Sequence, residues 1–200
     1  MEIDGQPCQM MHHPELAVAR PIDVPLILSA MGPKGVGVAE NLELPGIMNL
    51  FAPAEGFGER IQMLSGTVLG DGESPADERP AAAVGPWYLM AYHSVYEGGG
   101  EAVDSMPGGA EWRADVEASR PEGQRHLSVW EGHATHLMAR DAPVIAASGD
   151  AVAGLSWVGS ADDLRGRAEA AAAEGVTELM YTPSGPDLER ELRAFAAAVM

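Results

Sequence analysis

Residues 24–35 read Val-Pro-Leu-Ile-Leu-Ser-Ala-Met-Gly-Pro-Lys-Gly, and this stretch decides the fold class of the chain. A short apolar run at 24–30 is followed at once by a Gly-Pro pair, and proline suits the first position of a helix. The run predicts a strand buried on both faces, as in a parallel sheet, with a helix over 33–42 after it. A strand that leads directly into a helix is the unit from which parallel α/β sheets are built.

The last fifth of the chain repeats this order of strand and helix. Ser160 is a good N-cap for an alanine-rich helix over 160–174, and Gly175 after it suits a left-handed helix end. A strand over 176–181 follows, and a last helix over 186–199 carries one apolar stripe. With two further apolar runs, these elements predict four parallel strands side by side, with the helices packed outside them. The two runs are residues 46–50 and 61–69.

The middle of the chain, residues 72–150, is expected to be an insertion of helices and loops. Residues 81–96 have a helical pattern but contain Gly-Pro at 85–86, which predicts a kink or two helical pieces. A short helix is expected at 111–119, whereas residues 126–138 have no clear pattern. Four aromatic residues lie at helical spacing in the segment 81–96, which is more typical of core packing than of a wall on which a ligand ring stacks. They are Trp87, Tyr88, Tyr92 and Tyr96.

Composition and charge exclude several classes of protein. The 200 residues include 30 acidic and 12 basic side chains, which gives a formal net charge of −18 at pH 7. Such a surface would repel a phosphate backbone and an anionic membrane, so neither a nucleic acid nor a membrane is expected as a partner. The single cysteine, Cys8, excludes a disulfide framework within the chain, and no apolar run is long enough to cross a bilayer. We therefore expect a soluble, cytoplasmic protein.

Several stretches resemble the bacterial luciferase-like oxidoreductases, which depend on a flavin or a deazaflavin. Residues 24–35 are similar to the junction between strand 5 and helix 5 of that family, and residues 157–164 and 174–181 are similar to its C-terminal end. Gly-Thr-Val-Leu-Gly-Asp-Gly-Glu at 66–73 and His-Leu-Ser-Val-Trp-Glu-Gly-His at 126–133 match one subgroup. The resemblance extends over nearly the whole chain.

The resemblance implies a (β/α)8 barrel, of which this chain supplies about strands 5 to 8. A complete barrel takes about 250 residues, so the expected fold is a partial barrel of the α/β class, in one domain over 1–200 that lacks the N-terminal half. Members of the family use FMN or the deazaflavin coenzyme F-420 to move a hydride or to activate oxygen on a small-molecule substrate. The alternative function is a half barrel without a redox site that binds a ligand or a partner.

A half barrel leaves two sheet edges and one apolar sheet face without partners. Because monomers rarely expose a large apolar patch, we expect two copies to close against each other as a homo-oligomer. The exposed side chains would include Leu26 or Ile27 on one strand and Leu179 or Met180 on another. The alternative is that residues 72–150 fold over the opening as a lid, which would leave a monomer.

The loop between the first strand and its helix is the candidate cofactor site. Backbone N–H groups at the start of a helix favour an anion, and the resemblance implies that this loop contacts the phosphate tail of the cofactor. An ordinary turn between strand and helix is the alternative. After the last strand, Ser184 is expected to cap the following helix rather than to bind phosphate. The candidate cofactor-binding residues are Ser29, Ala30, Met31, Gly32 and Lys34.

Two histidines, His126 and His133, are the candidates for a catalytic role. They lie in one stretch with Glu131 and His136, and such nitrogen and carboxylate ligands can bind zinc. The spacing differs from that of the metalloprotease helix, where two histidines lie four residues apart around a glutamate, so no metal site is predicted. His126 and His133 are expected to support the barrel mouth through hydrogen bonds or to contact the substrate, and transfer of a proton is a further possibility.

Overall fold

The structure, a computed structural model, describes residues 2–3, 5–7 and 24–200. None of the helices in these residues has both the length and the apolarity that crossing a membrane requires. The strands are β1 (Glu2–Ile3), β2 (Gln6–Pro7), β3 (Ile27–Ser29), β4 (Gly46–Asn49), β5 (Glu59–Leu64), β6 (Gly66–Val68), β7 (Trp157–Gly159) and β8 (Glu178–Tyr181). The helices are α1 (Pro33–Asn41), α2 (Glu78–Gly99), α3 (Gly109–Ser119), α4 (Arg125–Val129), α5 (Ala142–Ser148), α6 (Ala161–Ala173) and α7 (Leu188–Val199). Short 3-10 helices lie at 100–105, 122–124, 139–141 and 149–155.

The main sheet is parallel, with its described strands in the order β3-β4-β5-β8. Met48 pairs with Ser29 on one side and with Ile61 on the other, and Ile61 pairs in turn with Glu178. The register therefore runs continuously across all four strands. The prediction that these four apolar runs lie side by side as parallel strands is confirmed, and the chain is a mixed α/β protein.

The apolar run at 61–69 forms parts of two strands rather than one strand. β5 pairs with β8, and beyond Ser65 the chain continues as β6, which pairs in parallel with β7. Gly66 is required at this change of partner, because a Cβ there would lie 2.2 Å from the carbonyl oxygen of Trp157. β7 has no counterpart among the predicted strands, because three residues are too few to show the alternation that identifies a strand.

The two faces of the main sheet are covered to different extents. On one face, Leu28 and Ile47 pack against α1, and Leu64 packs with Phe195 of α7 and with α6. Successive side chains of a strand point to opposite faces, so the alternate residues lie on the other face, where the described residues bury the central strands in part and leave the two edge strands exposed. We call this second surface the open face. Its apolar side chains are Ile27, Met48, Ile61, Met63 and Met180.

The prediction that residues 24–30 form a strand buried on both faces is wrong. β3, at one edge of the described main sheet, is three residues long, and only Leu28, on the face that packs against α1, is partly buried. Ile27 is 38% exposed, and Leu26 before it is more than half exposed. Met180 of β8, at the opposite edge, is 40% exposed. Of the alternatives that the sequence left open, Ile27 and Met180 are the strand residues on the open face.

The helices between β6 and β7 form a layer with its own core. Trp112 of α3 is fully buried, and Tyr92 of α2 and Val129 of α4 are buried beside it. The indole N–H of Trp112 donates to the carboxylate of Asp141 at 2.9 Å, so its polar atom is satisfied within the core. Tyr88, Tyr92 and Tyr96 pack within or against this core, which confirms the prediction of core packing for these three aromatic residues.

Helix α2 continues through Pro86, so of the two predicted alternatives, a kink or two helical pieces, the second is wrong. Proline has no N–H, and the carbonyl of Ala82 therefore loses its acceptor role within the helix. The loop after β8 packs against this turn. The Ser184 hydroxyl donates to the Ala83 carbonyl at 2.6 Å, and a Cβ on Gly185 would lie 2.5 Å from the Ala82 oxygen. The weakened turn of the helix is thus covered by a close-fitting loop.

The two C-terminal helices begin with side-chain caps. Ser160 and Asp163 form a capping box at the start of α6, and Gly175 after this helix has a φ of +85°, as predicted for its left-handed end. Asp187 caps α7 by accepting a backbone N–H of the first turn at 3.0 Å. The predicted cap by Ser184 is wrong, because the hydroxyl of this buried serine is used on α2 instead.

Candidate functional site

The predicted cofactor loop lies where β3 ends and α1 begins. The Ala30 N–H donates to the Met48 carbonyl at 2.9 Å, which extends the pairing with β4 by one residue. The side-chain amide of Asn49 donates to the Ala30 carbonyl at 2.7 Å. Ala30 is buried and both of its backbone polar groups are occupied, so it fixes the position of the loop and leaves any ligand contact to its neighbours.

Helix α1 begins at an open N-terminus. Its N-cap is Gly32, and within the described residues no side chain caps it. The first helical hydrogen bond runs from the Val36 N–H to the Gly32 carbonyl at 3.1 Å, so the N–H groups before Val36 have no acceptor within the helix. A Cβ added to Gly32 would meet no described atom within 4 Å. Among the described residues there is therefore room beside the N-cap for a group that accepts from these N–H groups.

The surroundings of this turn suit an anion. Ser29, Met31 and Lys34 are exposed around it, and the first turn of α1 carries no acidic residue. The helix dipole places partial positive charge at the same end, and Lys34 adds a full charge. The N-termini of α6 and α7, in contrast, are occupied by the carboxylates of Asp163 and Asp187. The residues present at α1 thus fit a phosphate group, whereas those at the other two helix starts do not.

An apolar cavity of about 180 Å³ lies at the carboxyl edge of the sheet. Leu50 and Phe51, directly after β4, form one wall, and Leu155, just before β7, contributes another. Helix α2 supplies the remaining lining through Trp87, Met90, Ala91 and Ser94. Ligands of open parallel sheets bind beyond the carboxyl ends of the strands, which is where this cavity lies.

Asn49 joins the cavity to the cofactor loop. Its Nδ2 donates to the Ala30 carbonyl, and its Oδ1 accepts the N–H of Phe51 at 3.0 Å. One side chain therefore holds the turn before α1 and the wall of the cavity in a fixed relation. Sequence reasoning missed Asn49, although an amide at the carboxyl end of a buried strand is a signal for such a role.

His133 forms a pair with His93 of α2. Their Nδ1 atoms lie 2.7 Å apart, so one nitrogen must carry a hydrogen and the other must accept it. His93 is buried, and its ring stacks on Trp112 and meets the edge of Trp130. Burial, together with the charges of His133 and Arg140, lowers the pKa of His93 to about 4, and burial also lowers the pKa of His133. At neutral pH the pair is therefore uncharged.

The other histidine candidate has a different environment. His126 is exposed on α4, and His133 makes its ring contacts with His93 and Trp130 rather than with His126. Among the described residues, no group of three or more histidine, cysteine, aspartate or glutamate side chains is close enough to hold a metal ion. Sequence reasoning missed His93, whose position on the apolar side of α2, directly after Tyr92, was the available signal.

A network of ion pairs ties β6 to α2 and α7. The buried carboxylate of Glu191 accepts the hydroxyl of Thr67 at 2.7 Å and the guanidinium groups of Arg79 and Arg190, each at 2.9 Å. Arg79 also pairs with Glu73, and this contact lowers the pKa of Glu73 to about 2. Because the charges satisfy one another, the network is suited to holding the elements together rather than to binding a ligand.

No protein-family model matches the chain, and neither does any curated protein or solved structure. The luciferase-like resemblance therefore stays a prediction from the sequence. The geometry at the carboxyl edge of the sheet is an independent finding. It consists of an open helix N-terminus and an apolar cavity, with Asn49 between them.

Proposed function

We propose that the chain is an oxidoreductase of the luciferase-like type, built as a partial (β/α)8 barrel. It binds FMN or coenzyme F-420 through the phosphate and acts on a small organic substrate. The observation that carries the proposal is the open N-terminus of α1 beside an apolar cavity at the carboxyl edge of a parallel sheet. Four parallel strands with helices packed on one face support the barrel geometry.

The residues of the chain bind and orient the cofactor in this proposal. The exposed Ser29 hydroxyl and Lys34 ammonium donate to phosphate oxygens, and the first N–H groups of α1 complete the cradle. Asn49 fixes the position of the cradle relative to the cavity wall, because it is hydrogen-bonded to both. The cofactor, when bound, supplies hydride transfer or oxygen activation, and the protein orients it and excludes water. Of the histidine candidates, His133 fits a supporting role, because its Nδ1 is already engaged by His93.

Titration of the purified protein with FMN and with coenzyme F-420 tests the proposal. Gly32→Asp places a carboxylate at the phosphate position and should abolish binding. Gly37→Asp is the matched control, because a Cβ at Gly37 of the same helix also meets no described atom within 4 Å. The expected result is binding by the wild type and the control and none by Gly32→Asp. Flat titrations of folded protein at millimolar cofactor, or equal binding by both variants, would contradict the proposal.

The second candidate function is a half barrel without redox activity that binds a ligand or a partner. The open face favours it, because strands that complete the active site in the luciferase-like family have no counterpart in the resemblance. Cofactor binding and cofactor turnover distinguish the two. An isolated chain that binds cofactor at α1 but never oxidises or reduces it supports the second function, and measurable turnover supports the first.

We also propose that two copies of the chain close face to face in the cytoplasm. β3 and β8 lie at opposite edges of the described main sheet and run in the same direction. A two-fold axis along the strands therefore brings β3 of each copy beside β8 of the other, and eight parallel strands form a closed ring. Closure pairs both edges and covers Ile27 and Met180 of each copy, which a monomer leaves in water.

A further inference from the structure

Helix α2 carries two apolar faces, and only one of them is used by the core of the helical layer. Leu89 and Tyr92 of this helix are buried in that core. Trp87, Met90 and Ala91, together with Ser94, have the spacing i, i+3, i+4 and i+7 and therefore share another face. A helix that is apolar on both sides is expected to be covered on both sides. The second face of α2 instead lines the cavity.

The cavity has a buried floor and an exposed apolar rim. Trp87 is only 4% exposed, whereas Phe51 is 63% and Leu155 is 47% exposed. Large apolar side chains with this exposure lose much of their contact with water when a ligand enters between them. The rim residues come from the loop after β4 and from the residues before β7, so two chain segments and one helix enclose the space.

The walls offer little to a polar ligand or to ordered water. Ser94 is the one lining residue with a hydroxyl, and its Oγ donates to the Met90 carbonyl at 2.9 Å. The indole N–H of Trp87 is buried below the surface and has no hydrogen-bond partner among the described residues. An ordered water needs two to four polar partners, which these side chains do not provide. The occupant is therefore expected to be apolar.

The size of the cavity limits its occupant. The cavity is half open to solvent, and its volume of about 180 Å³ is enough for one ring with a small substituent, since a closed engineered cavity of roughly 150 Å³ in another protein binds benzene. The lining contains no charged side chain to neutralise a carboxylate or an amine. A charged ligand would lose its hydration without compensation.

We propose that this cavity binds an uncharged, mainly apolar molecule of about one aromatic ring. Resting on the proposed function, this molecule belongs to the substrate class of the enzyme, since the cavity lies beside the cofactor cradle and is fixed to it by Asn49. The binding itself rests only on the size, lining and position of the cavity. It does not require a bound cofactor.

Calorimetric titration of the wild-type chain with toluene tests the proposal without cofactor. A ligand of this size should bind one per chain with a Kd of roughly 0.1–1 mM. Benzoate and benzylamine, of matched size, should bind at least tenfold more weakly. Ala91→Leu fills the cavity and should reduce toluene affinity at least tenfold. Ala114→Leu, on the exposed side of α3, is the matched control and should leave it unchanged.

A second variant covers the case in which Ala91→Leu fails to fold. Phe51→Ala removes an exposed side chain of the rim, and it should weaken toluene binding several-fold while the melting temperature stays within a few degrees. Absence of saturable binding to the wild type overturns the proposal, as does benzoate binding as tightly as toluene. Unchanged affinity in both folded variants also overturns it. Affinity that falls as protein concentration rises would show that a second copy occupies the cavity, which contradicts it as well.

The same titration separates this inference from the proposed function. Gly32→Asp should lose cofactor binding and keep toluene binding, because the two sites use different residues. Toluene binding without any cofactor binding would overturn the proposed function and leave the cavity as a ligand site. Cofactor binding without toluene binding would overturn the proposal that the cavity binds a ligand and would leave the proposed function unaffected.

Discussion

The helical layer between β6 and β7 buries its apolar residues more completely than the main sheet does. In the layer, Trp112 and Tyr92 are fully buried, and the indole N–H is bonded to Asp141. In the sheet, one face packs on three helices, while Ile27 and Met180 on the other remain about two-fifths exposed. The segment with the weaker sequence pattern thus has the more completely buried core, although Trp130 and Leu155 at its surface are exposed. The main sheet, whose sequence pattern is clearer, leaves apolar side chains of its open face exposed.

The largest effect on stability is expected from a substitution in the core of the helical layer. Trp112→Ala removes a fully buried ring and leaves the Asp141 carboxylate without its indole donor, so it should lower the free energy of unfolding by about 4 kcal/mol. Trp130→Ala is the matched control, because Trp130 is 40% exposed, and about 1 kcal/mol is expected there. Urea denaturation measures both. Equal losses in the free energy of unfolding in the two variants would mean that Trp112 does not lie in a tightly packed core.

The pH dependence of stability should also come from the helical layer. The pKa of His93 is about 4 in the folded chain and near its ordinary value of 6.5 when unfolded. Between these values the unfolded state binds more protons, so stability falls as pH falls. From pH 7 to pH 5 the loss from His93 should be about 2 kcal/mol. Burial raises the pKa of Asp141, which opposes this loss towards the acidic end of the range.

Urea denaturation of two histidine variants checks this assignment. His93→Gln removes the buried titrating group and should reduce the slope of the profile between pH 7 and pH 5, leaving the contribution of His133, whose pKa burial also lowers. His126→Gln changes an exposed histidine and should follow the wild type. A profile that stays steep in His93→Gln would place the titrating group elsewhere in the chain.

The strands of the main sheet and its helices could be predicted because the residues that mark their ends are adjacent to them in the sequence. Glycine and proline bound each apolar run, and the cap at Ser160 and the left-handed Gly175 mark both ends of α6. The break at Ser65 and the pairing of β6 with β7 could not be predicted, because they depend on which distant strand lies alongside. The role of Ser184 could not be predicted for the same reason. Its hydroxyl donates to a carbonyl of α2 and does not cap the helix that follows it.

Only the part of the candidate site that is formed by neighbouring residues could be predicted. The turn at Gly32 is defined by neighbouring residues, so its place at the end of β3 and the start of α1 could be inferred. The cavity could not, because its walls come from three segments that only the fold brings together. Asn49 and His93 act through residues distant in sequence, Ala30 and His133, and single-sequence patterns carry no information on such pairs.

A charge on the open face should separate assembly from stability. Met180→Glu places a carboxylate on β8, where closure would bury it, so the self-association constant should fall at least tenfold. Leu192→Glu is the control, since Leu192 is 53% exposed on α7, outside the sheet. Sedimentation at micromolar protein measures both. A wild-type chain that stays a compact monomer and binds no hydrophobic dye would show instead that the helical layer acts as a lid.

The smallest effect, a dependence of assembly on salt, tests whether the open face closes on a second copy. Each chain carries a formal charge of −18, so two identical chains repel, and Glu178 lies on the open face beside Met180, where closure brings it towards the partner copy. Raising sodium chloride from about 0.05 M to about 0.5 M shortens the range of this repulsion to roughly 4 Å. Association measured by sedimentation should therefore tighten a few-fold. Met180→Glu should remain a monomer at both concentrations. Association that weakens with salt would indicate a partner surface held by opposite charges, which a second copy of so acidic a chain does not offer.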